Sequence, residues 1–206
     1  MLDTSPSRTT MAGLADDLSL ALDTAWGHLM RGAADRRSGF HTIGLGTTGL
    51  DGTPQLRTVV LRRTDREQRE LFLHTDIRAR KIPEILAKPE VGVLGYCQDS
   101  KTQLRLSGVA TIHHDDGIAR AAWERAQEMS RRCYRVPIAP GSAIERPTDE
   151  PEALPVPGDP NAGFEAFAVV RVTIHRLEWL YLAITGHRRA RYEWRDGALT
   201  ATWLVP

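Results

Sequence analysis

Two cysteines, Cys97 and Cys133, are all that the 206 residues contain, and no Cys-x-x-Cys or Cys/His spacing surrounds them. That excludes a disulfide framework and a zinc site, and it suits a reducing cytoplasm. No apolar run approaches the ~20 residues a membrane-spanning helix requires. The N-terminal MLDTSPSRTTMAGLADD lacks the basic start, apolar run and small-residue cleavage site of an export signal. A cytoplasmic protein without membrane contact is the expectation. An excess of one charge is missing too: 27 Lys plus Arg against 26 Asp plus Glu leave a net charge of +1. Bulk attraction to nucleic acid or anionic lipid is therefore absent, and any anion site must be local. Aromatic residues are only 6% of the chain, too few for the stacking platforms of a single-strand nucleic-acid binder. Also absent are G-x-S-x-G, H-E-x-x-H, the P-loop and G-x-G-x-x-G, the marks of serine hydrolases, zincins, nucleotidases and dinucleotide-binding dehydrogenases.

What remains reads as one packed domain over residues 1–206, because 41% apolar and 26% charged residues is an ordinary globular balance. Apolar residues at Leu14, Leu18, Ala21, Leu22, Ala25, Trp26, Leu29 and Met30 have the spacing of one helix face, with Gly32 closing the run. His41–Leu45 and Leu56–Arg63 follow as short strands, separated by a turn built on Asp51-Gly52. Leu71–Thr75 reads as a strand, and Asp76 is placed to cap a helix over Arg78–Ala87. Val91–Cys97 and Gln103–Ile112 read as two more strands. Asp115 or Asp116 then caps a helix with Ile118, Ala122, Ala126 and Met129 on one face. Phe167–Ile174, Leu177–Ala183, Ala190–Trp194 and Ala198–Leu204 complete the strands, the last two joined at Asp196-Gly197. Seven of the twelve prolines fall between Pro137 and Pro160, so residues 137–161 form a long loop or flap of the kind that borders binding sites. Crossover helices between every strand are missing. The pattern therefore favours a mainly β, antiparallel barrel with peripheral helices.

The candidate chemistry is basic and clustered. On a strand, Arg57, Val59, Leu61 and Arg63 point one way and Thr58, Val60 and Arg62 the other. In LHTDIRARK a strand ends and a helix begins, which sets Thr75, Arg78, Arg80 and Lys81 near the unpaired N–H groups of a helix start. Helix N-termini already carry about half a positive charge, so cations gathered there call for an anion. A solvated basic turn would have the same spacing, and spacing alone does not choose between the two. His74 reads as a structural strand residue rather than a catalytic one. His113 and His114 point to opposite faces, a poor geometry for one metal. Trp123, Trp179, Trp194 and Trp203 read as core.

Three motifs in order choose the anion: R-x-V-x-L-R at Arg57–Arg62, H-T-D-x-R-x-R-K at His74–Lys81 and Q-x-R-x-x-G at Gln103–Gly108. Together they resemble the pyridoxamine 5′-phosphate oxidase-like, FMN-binding split-barrel family, from the first helix to the C-terminal WLVP. The resemblance implies a split β-barrel and an FMN cofactor, bound at two sites in the interface of a homodimer. It sets Arg57, Thr58, Val59, Val60, Leu61 and Arg62 along the flavin, with Arg57 near the phosphate and Arg62 near the ring edge. His74 and Thr75 with Arg80 and Lys81 become contacts, the last three to the phosphate. Gln103 becomes the glutamine offered by the partner subunit, Ser142 a further contact from the proline-rich loop, and Arg191 the late arginine that approaches the ring.

Departures from the family's namesake enzyme concern its substrate. The Tyr and Arg that would hold a vitamin phosphate correspond to Ala122 and Ala126, and only Ser130 of that trio is kept. The late Arg-x-His pair corresponds to His187 and Arg189 in reversed order. The resemblance therefore implies an FMN-dependent oxidoreductase of a divergent branch, acting on an unidentified small molecule without a metal. A non-catalytic flavin-binding or storage protein, or a barrel refitted for a deazaflavin or haem, are the competing readings.

Overall fold

The computed structural model describes residues 16–146, 158–184 and 186–206. Its elements are α1 (Leu18–Ala34), β1 (Thr42–Thr48), β2 (Pro54–Asp65), β3 (Glu70–Asp76), α2 (Lys81–Ala87), β4 (Glu90–Cys97), β5 (Thr102–His113), α3 (Gly117–Arg125), α4 (Glu128–Arg131), β6 (Phe167–Tyr181), β7 (Arg188–Arg195) and β8 (Ala198–Leu204). All strand pairings are antiparallel, in the order β3-β2-β1-β4-β5-β6-β7-β8. A further pairing of β3 with β6, from Glu70 opposite Thr173 to Asp76 opposite Phe167, closes the first six strands into a barrel.

Among the described residues eight strands stand where the sequence suggested nine, because Phe167–Ile174 and Leu177–Ala183 are one strand. His175 is the reason: Gly108 pairs with Ile174 and Ser107 with Arg176, leaving His175 as a bulge rather than a break. Before the bulge β6 pairs with β3, and after it with β7. The bulge thus marks where the barrel opens into its β7–β8 wing, as bulges do at barrel rims. Gly108 lies opposite that bulge. A methyl group there would meet Thr173 O at 2.4 Å and Val172 Cγ1 at 3.0 Å. We expect Gly108→Ala to lower stability by about 1–3 kcal/mol through overpacking, read as a shift in the urea midpoint without change in slope.

Inside the barrel, Ile43, Leu45, Leu61, Leu71, Leu73, Val93, Leu104, Leu106 and Val172 form the core, which α1 covers with Ala21, Ala25, Trp26 and Leu29. Helix α1 begins where the Asp17 carboxylate accepts bonds from the N–H groups of Ser19 (2.7 Å) and Leu20 (3.1 Å). Leu14 lies outside the described residues. Gly32 does not end this helix; it is buried within it, and a methyl there would meet Phe40 O at 2.4 Å. Met30 was expected on the buried face but is 52% exposed.

A second apolar cluster sits on the outer wall, where Phe72, Val169 and Phe167 meet Ala119 and Trp123 of α3 and Phe164. Asp116 caps α3, accepting from Ala119 N at 2.9 Å. The helix stops at Arg125, so Met129 belongs to the separate turn α4 and is exposed. Of the four tryptophans read as core, Trp123 and Trp179 are buried, while Trp203 on the outermost strand is 38% exposed. Within the proline-rich loop, residues 147–157 lie outside the described residues. Among the described residues, no helix is long and apolar enough to cross a membrane.

Candidate functional site

The basic residues of β2, β3 and α2 divide into three groups with different partners. In the first, Lys81 opens α2 and its Nζ donates to Thr75 Oγ1 at the end of β3, 2.8 Å away. Thr75 is 7% exposed. Burial, then the neighbouring Arg57 guanidinium, lowers the Lys81 pKa against the opposite pull of Asp76 and Glu84. Among the described residues, no carboxylate lies within ion-pair distance of Lys81. A half-buried ammonium in that setting is held against desolvation and a like charge, which a bound anion would relieve.

Arg57 reaches the same place from β2. Its Nη2 donates to Glu84 Oε2 at 2.7 Å, and Nη1 donates to Thr47 Oγ1 and to Leu45 O at 3.4 Å. Glu84 and Thr47 are 5% and 6% exposed and bond to each other at 2.5 Å. Neither residue stood out in the sequence. A glutamate one turn after Lys81 looks like a solvated helix residue until the barrel places it against Arg57. Arg80 is exposed, and it precedes α2 with a helical backbone but no side-chain cap. A methyl added at Gly141 would lie 3.9 Å from Arg80 Cδ, so the segment carrying Ser142 runs beside this arginine.

Asp76 does not cap α2. It accepts from Arg78 N at 2.8 Å and Arg78 Nε at 2.9 Å, and Arg78 goes on to donate to Val136 O and Pro137 O, both at 3.0 Å. Arg78 is thus spent on fastening the loop after α4 to the β3–α2 turn.

The second group lies on the outer wall. Arg62 is an extra residue in β2, since Leu61 pairs with Leu73 and Arg63 with Phe72. This bulge reverses the alternation, so Arg63 does not share a face with Arg57 and Leu61; it lies over the Phe72 ring at 3.5 Å. Arg62 is exposed and, among the described residues, has no ion-pair partner. It neighbours His74, whose ring meets the edge of Phe167 at a centroid distance of 4.9 Å. Burial, then Arg62, brings the His74 pKa down to about 4. Tyr134 completes this wall, and burial raises its pKa.

A neutral imidazole in the folded state against an ordinary one in the unfolded chain has a definite sign. The unfolded chain binds more protons between about 4 and 6.5, so stability falls as pH drops through that window. The whole effect is on the order of 3 kcal/mol at most, reduced by residual water at the half-buried ring. Urea titrations of the protein and of His74→Gln at pH 7 and pH 5 check it: the loss on acidification should shrink in the variant.

Of the remaining β2 residues, Leu61 is fully buried in the barrel and Val59 packs against its core, so both offer a ligand only their main chain. Thr58 is exposed and Val60 half-buried.

The third group is remote from the first. Gln103 pairs with Leu180 on β6 and Thr75 with Ala168, a dozen residues apart along that strand, or roughly 40 Å at ~3.3 Å per residue. Gln103 alternates with the buried Thr102 and Leu104, so it points outward. Arg191 stands on β7 opposite Glu178, 3.8 Å from Glu193. Arg189 pairs with Glu178 at 2.6 Å, and His187 is exposed. One chain therefore brings Arg57, Thr75 and Lys81 together and leaves Gln103 and Arg191 elsewhere. Among the described residues, no group of three or more His, Cys, Asp or Glu side chains is placed to hold a metal ion.

Residues 23–114 match the family model described as pyridoxamine 5′-phosphate oxidase, FMN-binding domain. The chain is 31% identical over 148 residues to pyridoxine/pyridoxamine 5′-phosphate oxidase 2 of Arabidopsis thaliana, a match covering 67% of this chain and 73% of that protein. Among solved structures, a pyridoxamine 5′-phosphate oxidase-related, FMN-binding protein from Nostoc punctiforme PCC 73102 superposes with a TM-score of 0.71 at 21% identity over 100% of both chains. PhzG from Burkholderia lata 383 superposes with a TM-score of 0.62 at 20% identity, over 99% of this chain and 95% of that one. At such identities the two structures establish the shared fold.

Proposed function

Since the chain belongs to the pyridoxamine 5′-phosphate oxidase-related family, whose cofactor is FMN, we propose that it is an FMN-dependent oxidoreductase acting on a small molecule. In this reading residues 1–206 form one domain that works as a cytoplasmic homodimer. The observation that carries it is Lys81, a half-buried ammonium bonded to Thr75, beside Arg57, with no carboxylate in ion-pair range among the described residues. The donor set suits a phosphate monoester, which offers three oxygens to amine, hydroxyl and guanidinium donors.

Lys81, Thr75, Arg57 and Arg80 hold the phosphate, with Ser142 approaching from the side of Arg80. The main chain of Thr58, Val59, Val60 and Leu61 lines the cofactor, and Arg62 and His74 border it on the outer wall. FMN supplies the two-electron chemistry, while the protein supplies orientation, charge and exclusion of water. The neutral His74 ring and the high-pKa Tyr134 phenol keep their protonation states near neutral pH, so the charge this wall presents comes from its arginines, Arg62 beside His74 and Arg63 over Phe72.

Gln103 and Arg191 come from the second subunit, where an amide and a guanidinium can donate to the flavin ring. Their distance from Thr75 along the barrel supports this, because one chain cannot bend β6 back on itself. The face that carries Gln103 also supports an interface: Leu56 (82% exposed) and Leu94 rim a shallow cavity of about 260 Å³ floored by Gly44, Gly46 and Gly92, and Tyr96 stands exposed opposite Gln103. Substrate enters beneath the loop of residues 137–161.

A non-catalytic flavin-binding protein is the second reading. Ala122 favours it, since it packs into the outer aromatic cluster and gives a substrate phosphate no charge to bind. The visible absorption spectrum of freshly purified protein tests the cofactor: flavin bands that stay with the protein through gel filtration are expected, and a colourless protein that ignores added FMN would refute the reading. Anaerobic reduction of the bound flavin by candidate donors separates the two functions. Turnover identifies an oxidoreductase, and the absence of turnover with any donor favours the binding protein.

A further inference from the structure

Glu84 is a buried acid bonded to one of the cations of the site. It is 5% exposed, on α2, and its Oε2 accepts from Arg57 Nη2 at 2.7 Å and from Thr47 Oγ1 at 2.5 Å. Arg57 is also held by Leu45 O and Thr47 Oγ1 of β1, so β1, β2 and α2 converge on one guanidinium. Lys81, three residues before Glu84 on the same helix, is held instead by Thr75.

Two opposed effects meet at this carboxylate. Its negative charge works against an incoming phosphate. Its grip fixes an arginine whose long side chain would otherwise lose rotamer freedom on binding, a cost of the kind that pre-organisation removes. Burial favours the second effect, because a carboxylate this enclosed is retained only with its donors in place and so holds those donors as firmly as they hold it.

We infer that Glu84 is a positioning residue for phosphate recognition: it aims Arg57 at the cofactor phosphate without touching the cofactor. The inference rests on the reading of Arg57 and Lys81 as phosphate contacts. It deepens that reading by assigning the selectivity for a phosphorylated flavin partly to a residue outside the cationic set.

Titrations of apo-protein with FMN and with riboflavin, which lacks the phosphate, test it in Glu84→Ala and Glu84→Gln. Glu84→Ala should bind FMN roughly five- to tenfold more weakly with riboflavin affinity unchanged. Glu84→Gln keeps an oxygen for Arg57 and Thr47 and sheds the opposing charge, so it should bind FMN at least as tightly as the wild type. That rescue would not follow from loss of a negative charge alone, nor from loss of folding. FMN affinity that rises in both variants, or stays level in Glu84→Ala, overturns the inference and leaves the phosphate site standing. Parallel loss of FMN and riboflavin in both variants, with a lowered melting temperature, overturns it in favour of a fold-holding role. A wild-type protein that binds FMN and riboflavin equally, or neither, overturns the phosphate reading and this inference together.

Discussion

Lys81→Ala is expected to weaken FMN binding roughly ten- to a hundredfold and to leave riboflavin binding unchanged. The range follows from one charge-assisted hydrogen bond to phosphate, worth about 1.5–3 kcal/mol when its partner is left without it. Lys81 should fall toward the upper end. It is half-buried, its aim is fixed by Thr75, and no described carboxylate lies within ion-pair distance of it. Lys81→Met separates affinity from folding: it keeps most of the side-chain volume and removes a desolvated ammonium, so the apo-protein should melt no lower than wild type. Raising the salt concentration should narrow the gap between wild type and variant only modestly, since screening acts weakly on a buried group. Fluorescence titration with both flavins reads all of this. Equal losses for FMN and riboflavin would remove Lys81 from the phosphate.

Phe167→Ala is expected to lower global stability by about 3–5 kcal/mol, the usual cost of emptying a large aromatic site in a core. Phe167 is fully buried where β6 begins. Its ring packs against Tyr134 at 5.0 Å, Trp123 at 5.3 Å, Phe164 at 6.4 Å and His74 at 4.9 Å between centroids. No other described ring contacts all four, so collapse around the void would require α3, the Phe164 turn and the barrel wall to move together. Water entering the void should also bring the His74 pKa back toward 6.5, visible in the imidazole proton shifts of an NMR titration. Urea unfolding followed by tryptophan fluorescence gives the stability change; a loss under 1 kcal/mol would mean the wall repacks freely.

These expectations draw unequally on sequence and structure. The strands were legible as short apolar, β-branched runs bounded by turn residues. The Asp51-Gly52 and Asp196-Gly197 turns were legible because a left-handed backbone at Gly52 (φ 82°) and Gly197 (φ 79°) carries no steric penalty for glycine. Barrel closure was not, since pairing of β3 with β6 is a long-range event with no local signal. Both bulges escaped for a related reason: one extra residue at Arg62 or His175 leaves composition untouched and appears only in the pairing register. Gly32 misled because glycine ends many helices, whereas here the main chain of Phe40 passes too close for a side chain.

At the site, Thr75 and Lys81 were readable together, being six residues apart across a strand-to-helix junction. Arg57 was readable as a cation but not as the partner of Glu84, because 27 positions and a change of element separate them. Arg78 looked like one more member of a basic cluster until its bonds to Asp76, Val136 and Pro137 showed it to be fully engaged.

The closing seam has a further consequence, for the order of assembly. It joins residues 70–76 to residues 167–173, about a hundred positions later in the chain. Until β6 is complete, β3 has a neighbour on one side only, and its Leu71, Phe72 and Leu73 stand at an open edge of the kind that recruits other chains. Closing so long a loop is entropically late and slow compared with forming the β1–β2 or β7–β8 hairpins. The nascent protein therefore passes most of its synthesis as an unclosed sheet, and the period of greatest risk ends only when the strand beginning at Phe167 docks.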